Sequence, residues 1–501
     1  MLTRPRQLPI LLPRIDKMTP TTIIVTIAAY FAFVLLIAWI SGRKSDNAGF
    51  FTGSRKQSWY VVAFAMIGSA MSGVTYVSVP GMVAVSGFGY MQMALGFIAG
   101  QLVIAFVLIP LFYRMNLVSI YGYLEERLGV SSYRTGAWFF FISKMLGASV
   151  RLYLVCISLQ LMVFGPLGIP FWVNVLITIL ILLLYTFRGG VKAVIWIDFL
   201  KTACMLLSIV LCTVFISRAL GLGIGDIIPA VRDSGMSRMF HFDDPNHPQY
   251  FFKQFFGGMF TLIAMTGLDQ DMMQRSLSCK NFRDSQKNIV TSSLLQTVVI
   301  LLFLVLGVLL YLFAGRFSIQ SGGDELFPAV ATSGMLPVIA GIMFIIGLVS
   351  CSFAAGGSAL TALTTSFTVD ILGTAGKSEA RVRKMREWTH VSMALCMGLT
   401  ILIFNVLNST SAIDAVYKLA SYTYGPILGM FAFGILTRRR TLDKAVPVVS
   451  IAAPLICLIL QLNSEKWFGG YQFSYELLII NGLLTFIGLL AMSRKEKDLA
   501  D

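Results

Sequence analysis

Charge is scarce in this chain of 501 residues. Asp, Glu, Lys and Arg make up 13% of it, against 56% hydrophobic residues, and the mean hydropathy is +0.79. Soluble domains carry about a quarter charged residues, so a cytosolic enzyme is excluded. Histidine is nearly absent, with His241, His247 and His390 dispersed, and the seven cysteines show no CxxC or Cys/His spacing. Neither a zinc site nor a disulfide framework is indicated. No glycine-rich phosphate loop precedes a helix and no hydrolytic or redox constellation appears, so no organic cofactor is expected.

Apolar blocks of membrane-spanning length are abundant. A bilayer core about 30 Å thick takes about 20 helical residues, and thirteen segments fit that template. They run 22–41, 59–85, 90–112, 136–164, 170–187, 193–219, 251–270, 288–315, 337–368, 390–408, 412–436, 445–463 and 474–492. The fold class expected is therefore an all-α membrane protein with 13 transmembrane helices. The first block follows Arg4, Arg6, Arg14 and Lys17 like a signal anchor but lacks a small-residue cleavage site, so it is read as a retained span.

The formal net charge of +15 is a matter of topology. With the N-terminus outside and the C-terminus cytoplasmic, the inner loops and tail carry 25 Lys and Arg. The outer loops carry 4 (Arg232, Arg238, Arg316, Lys466), as the positive-inside rule requires. The basic N-terminal tail runs against this pattern, and Met18 offers an alternative start. Basic residues do not group on one soluble face, which argues against a nucleic-acid partner. The expected partners are a small-molecule substrate and the lipid bilayer, with the chain a monomer in a bacterial inner membrane.

Interruptions in two spans suggest a mechanism. Gly68-Ser69-Ala70-Met71-Ser72-Gly73 is too small and polar for a continuous lipid-facing helix, and Gly257-Gly258 is a matching weak point in the seventh span. Spans two to six and seven to eleven then form two five-helix sets, the second inverted because five is odd. The implied organisation is a tail 1–21, a peripheral span 22–41, repeat 1 over 59–219 and an external loop 220–250. Repeat 2 follows over 251–436, then two C-terminal spans over 445–492 and a cytoplasmic tail 493–501. Inverted repeats that open on broken helices mark secondary transporters, in which freed carbonyls bind cations.

Several motifs resemble the sodium:solute symporter family. They are GFFTGSRKQSWY at 49–60, GSAMSGVTYVSVPG at 68–81, PLFYRMNLVSIYGYLEERLG at 110–129 and RGGVKAVIWIDFLK at 188–201. LDQDMMQR at 268–275, SALTALTTSFTVD at 358–370 and YGPILGMFAFGILTRR at 424–439 complete the set. The resemblance implies a LeuT-type core, solute import driven by sodium, and a sodium seat formed by the backbone carbonyls of Gly68, Met71 and Cys351. The family completes that seat with hydroxyls at positions that fall on Ala354 and Ala355, so both are missing, and a register slip would offer Ser352 or Ser358 instead. Asp198 matches the family's acidic residue of the sixth span. Lys201 stands where a glutamine is usual, one helical turn away on the same face. Two readings of Lys201 stay open: snorkelling to the cytoplasmic edge or pairing with Asp198, or acting as a replacement cation in a proton-coupled or sodium-independent transporter.

Arg151 lies roughly mid-membrane in the fourth span, where a charge is costly unless it faces a cavity or a partner. Its planar fork suits a substrate carboxylate, a role that the resemblance also allows; a structural partner is the alternative. Lys144, two turns nearer the cytoplasm, reads as an anchor. Ser69, Ser72 and Thr75 at the break are substrate or capping candidates, and Gln101 and Phe260 are further substrate candidates. Asp414 and Lys418 read as an intrahelical pair, and HFDDPNHPQY at 241–250, within the external loop, reads as a lid or spacer and not a metal site. A membrane sensor is the rival class, and would need a separate signalling partner.

Overall fold

The computed structural model describes residues 19–42, 57–115, 117, 119–187, 191–374, 376–407 and 412–494. Its helices are α1 (Pro20–Gly42), α2 (Trp59–Ala70), α3 (Gly73–Gly81), α4 (Tyr90–Arg114), α5 (Val130–Phe164), α6 (Phe171–Thr186) and α7 (Val191–Ala219). They continue as α8 (Phe251–Gly267), α9 (Gln270–Ser276), α10 (Phe282–Arg316), α11 (Val338–Ile371), α12 (Glu379–Leu407), α13 (Ala412–Leu436), α14 (Val446–Trp467) and α15 (Leu477–Ala491). Among the described residues 8 helices are long and apolar enough to cross a membrane, and two bent pairs, α2 with α3 and α8 with α9, make up to 10. Three shorter apolar helices lie within α1, α6 and α15. Leu176, Leu180 and Leu184 stand one turn apart on α6, each more than half exposed. Water would penalise that stripe, whereas acyl chains accept it.

The first break falls where the small polar run places it. Met71 (φ −93, ψ 105) and Ser72 (φ −91, ψ 176) are extended, and α2 and α3 meet at 59°. The second break does not fall at Gly257-Gly258. Helix continues through both glycines and a π-turn at Ile263–Gly267, and the chain bends by 74° at Leu268 and Asp269. Asp269 starts α9 as its N-cap, accepting from the amides of Asp271 (3.0 Å) and Met272 (3.2 Å). That side chain supplies the acceptor which the broken helix has lost.

Gly257 and Gly258 serve packing. A Cβ on Gly258 would stand 2.5 Å from the Met93 carbonyl oxygen of α4, and one on Gly257 would stand 3.0 Å from the Tyr475 Cβ. Gly96 makes the reciprocal approach from α4, its absent Cβ 2.1 Å from the Phe255 carbonyl oxygen. Without a hydrophobic drive between helices in lipid, such backbone contact is what holds them together. Gly96→Val is therefore expected to destabilise the protein by about 3 kcal/mol, read by denaturant titration in detergent. Unchanged stability would mean that the two helices can part at no cost.

α1 is less peripheral than the sequence implies, because Ile23, Tyr30, Phe31 and Val34 are buried and Ser350 Oγ of α11 donates to Tyr30 Oη at 2.8 Å. The loop over 220–250 contains a helix, Ile227–Asp233, and is tied to α4, with the His241 amide donating to Gln92 Oε1 at 3.0 Å. Burial, with Arg238 adding to it, lowers the His241 pKa below the usual imidazole value. No group of three or more metal-binding side chains occurs among the described residues. On the opposite end of α5, Asp443 accepts from the amides of Ser131 and Ser132, both at 2.8 Å, and so caps the helix from the loop before α14. The Asp414 side chain lies outside the described residues, so its pairing with the exposed Lys418 does too.

Candidate functional site

A chain of buried charges crosses the middle of the molecule. Asp198 Oδ2 on α7 accepts from Ser69 Oγ (3.2 Å) at the end of α2 and from Arg275 Nη1 (3.1 Å) on α9. Arg275 also donates to Ser69 through Nη1 and to Asp271 Oδ1 through Nη2 (2.9 Å). The other oxygen of Asp271 accepts from Ser358 Oγ on α11 (2.6 Å) and lies 3.1 Å from Lys144 Nζ on α5. Lys144 then donates to both oxygens of Asp269 (3.1 and 2.9 Å), which also takes the Tyr424 hydroxyl of α13 (2.8 Å). Charges this deep persist only when compensated and hydrogen-bonded, and each member here has at least two partners.

These contacts revise three expectations. Lys144 is no anchor at the membrane edge: it is 7% exposed and holds two carboxylates. Lys201 does not snorkel, being 1% exposed and within electrostatic range of Asp198 and Arg275. Ser69 belongs to the ion network. Asp269, Asp271 and Arg275 carry no role in the sequence reading, although three ionisable residues within seven at the end of an apolar run were the available signal.

Beside the network lies a cavity of about 30 Å³, lined by Ser143, Lys144, Arg151, Asp269, Met272 and Tyr424 among others. That volume suits about two water molecules and no organic solute, so the pocket is closed here. Arg151 makes no hydrogen bond or ion pair among the described residues, although it is half-buried within electrostatic range of the Tyr90 and Tyr424 hydroxyls. Ser143 Oγ, also in the lining, is buried without a hydrogen bond among the described residues. Ser72, Thr75, Gln101 and Phe260 do not line this cavity. Ser72 is buried at the start of α3 without a side-chain cap, Thr75 is half-buried, Phe260 packs against an apolar cluster, and Gln101 Oε1 is unsatisfied among the described residues.

The carbonyl-bearing residues of the expected cation seat lie on neighbouring elements. Gly68 packs against Thr202 of α7, and Gly73, just past the break, packs against Ser352 of α11: an added Cβ would meet the Thr202 hydroxyl at 2.1 Å and the Ser352 hydroxyl at 2.0 Å. Met71 is between them, and Cys351 precedes Ser352 on the buried face of α11. Ser352 Oγ has no hydrogen bond among the described residues, whereas Ser358 is engaged by Asp271. Ala355 is buried, and the Ala354 side chain lies outside the described residues.

Two broken helices among spanning apolar neighbours, with a polar pocket at the second break, have the fold of a multi-pass membrane transporter of the LeuT type. The model of the sodium:solute symporter family matches residues 50–447, and the chain belongs to that family. It is 25% identical over 453 residues to a sodium/sialic acid symporter of Aliivibrio fischeri, covering 86% of each chain. It is 24% identical to the sodium-coupled monocarboxylate transporter 2 of Danio rerio, covering 86% of this chain and 68% of that one. Among solved structures, a substrate-bound, outward-open sodium-coupled sialic acid symporter superposes with a TM-score of 0.79 at 19% identity, over 94% of this chain and 97% of the other. At that identity the likeness establishes the fold.

Proposed function

We propose that this chain is a sodium-coupled importer of a small carboxylate-bearing solute, working by alternating access in a bacterial inner membrane. The observation that carries the solute class is Arg151, a guanidinium with no ion pair among the described residues, in the lining of a polar cavity whose carboxylate, Asp269, is already held by Lys144. Buried charges need partners, and an arriving carboxylate provides one. The relatives named for sialic acid and monocarboxylates are consistent with this class. In this reading α1 to α15 make thirteen spans, with two inverted five-span repeats beginning at α2 and α8, N-terminus outside and C-terminus cytoplasmic. The excess of Lys and Arg in the inner loops supports that orientation.

Proteoliposome uptake of sialic acid and of lactate, with an inward sodium gradient or with choline, tests the reading. At least one acid should accumulate about tenfold faster with sodium, and its neutral amide should not. Equal rates with sodium and choline would refute sodium coupling. A specific observation keeps a second mechanism in view: Lys201 is fully buried near Asp198, while the usual hydroxyl positions hold Ala354 and Ala355. If Lys201 replaces the cation, uptake is sodium-independent and Lys201→Gln abolishes it.

The proposed sodium seat uses the carbonyls of Gly68, Met71 and Cys351, with the Ser352 hydroxyl, which has no hydrogen bond among the described residues, as a further oxygen and Asp198 nearby. A hard cation gains from every oxygen added. Ser352→Ala should raise the sodium concentration for half-maximal stabilisation about tenfold, whereas Ala355→Ser should lower it, both read as thermal shifts in sodium against choline. Parallel responses from the two variants would remove Ser352 from the seat.

A further inference from the structure

We propose that Asp271 is a positioning residue that couples the cation seat to the solute cavity, through one continuous run of charged hydrogen bonds. The proposal rests on the sodium seat described above and goes beyond it, because it assigns the link between seat and cavity. Asp271 touches three helices. It holds Arg275 on its own short helix α9 at 2.9 Å, Lys144 on α5 at 3.1 Å, and Ser358 on α11 at 2.6 Å. Arg275 reaches Asp198 and Ser69, the latter two residues before Met71, so one end of the run is at the first break. Lys144 lines the cavity that Arg151 also lines, so the other end is at the solute.

A monovalent cation placed at the break changes the balance around Asp198, whose Oδ1 is buried without a hydrogen bond among the described residues. Attraction between the cation and that carboxylate competes with Arg275, and Arg275 compensates at Asp271. Asp271 shares its charge between Arg275 and Lys144, so a stronger claim by one weakens the hold on the other. Lys144 then shifts between Asp271 and Asp269, and the cavity wall changes with it. In a low-dielectric interior such redistribution is transmitted with little screening. Asp269 cannot substitute for Asp271 in this role, because its oxygens are fixed by the N-cap amides and by Tyr424.

The test needs no identified solute. Ala420, in the cavity lining, is replaced by cysteine, and its modification by an anionic methanethiosulfonate, which forms a mixed disulfide and releases methanesulfinate, is timed in sodium and in choline, with the protein lacking Ala420→Cys as the blank for its native thiols. With Asp271 present, sodium should change the rate about fivefold or more, whereas Asp271→Asn should bring the two rates together. Asp271→Glu should restore most of the difference. Sodium-induced thermal stabilisation is measured on the same samples. If Asp271→Asn does not fold, Ser358→Ala, which removes one bond to Asp271, should reduce the sodium effect about twofold. Stabilisation by sodium with the same rate difference in Asp271→Asn, or in Ser358→Ala where that variant stands in, overturns the coupling role alone. Stabilisation with no rate difference in the parent also overturns it. A parent that sodium does not stabilise overturns the sodium seat, and this proposal with it.

Discussion

Lys144→Ala should cost the protein about 3 to 5 kcal/mol of stability and abolish uptake. Lys144 sits at 2.9 Å from Asp269 and 3.1 Å from Asp271, and its side chain is only 8% exposed. Its removal leaves two neighbouring, buried carboxylates with one fewer cation between them. The loss thus exceeds that of an ordinary salt bridge, because the remaining charges keep their desolvation cost. Denaturant titration in detergent measures it. Adding Asp271→Asn to Lys144→Ala should recover part of the loss, since the double change removes one charge of each sign. A loss below about 1 kcal/mol would mean that Arg275, Tyr424 and Ser358 suffice to hold both carboxylates.

Lys144 also shows where sequence reading stops. Its distance from Arg151 along the helix is legible, and suggests a residue nearer the cytoplasm; its partners are 125 residues away in sequence, across a break that periodicity does not locate. Gly-Gly and Gly-Ser pairs look alike on paper. At 68–73 the run includes Ser69 and Ser72 and the helix opens, whereas at 257–258 two glycines allow α4 to approach and the helix stays intact. The second opening is specified instead by Asp269, whose carboxylate caps α9. Apolar block length, by contrast, finds the helices long enough to cross a membrane among the described residues, because lipid sets a minimum length and an apolar composition. Arg151 could be singled out from depth alone, while the engagement of Ser358 and the place of Ser352 against Gly73 depend on which face of α11 meets Asp271 and Gly73.

Arg151→Ala should weaken binding of the transported carboxylate about 100-fold and leave binding of its neutral amide nearly unchanged. At about 1.4 kcal/mol per tenfold, that is about 2.8 kcal/mol, within the range for removing one partner of a desolvated charge pair. The other cations near the cavity are committed: Lys144 to Asp269 and Asp271, Arg275 to Asp198 and Asp271. They cannot turn to a ligand without exposing a carboxylate, so no neighbour compensates for the missing guanidinium. Arg151→Lys keeps the charge but loses the planar fork, and should fall between, about tenfold weaker. Sodium stabilisation in the absence of solute should persist in Arg151→Ala, because Arg151 makes no hydrogen bond or ion pair, among the described residues, with the run from Asp198 to Lys144. An acid that binds Arg151→Ala as tightly as the unsubstituted protein would place the solute carboxylate elsewhere, with Ser143 Oγ the next group of the lining to substitute.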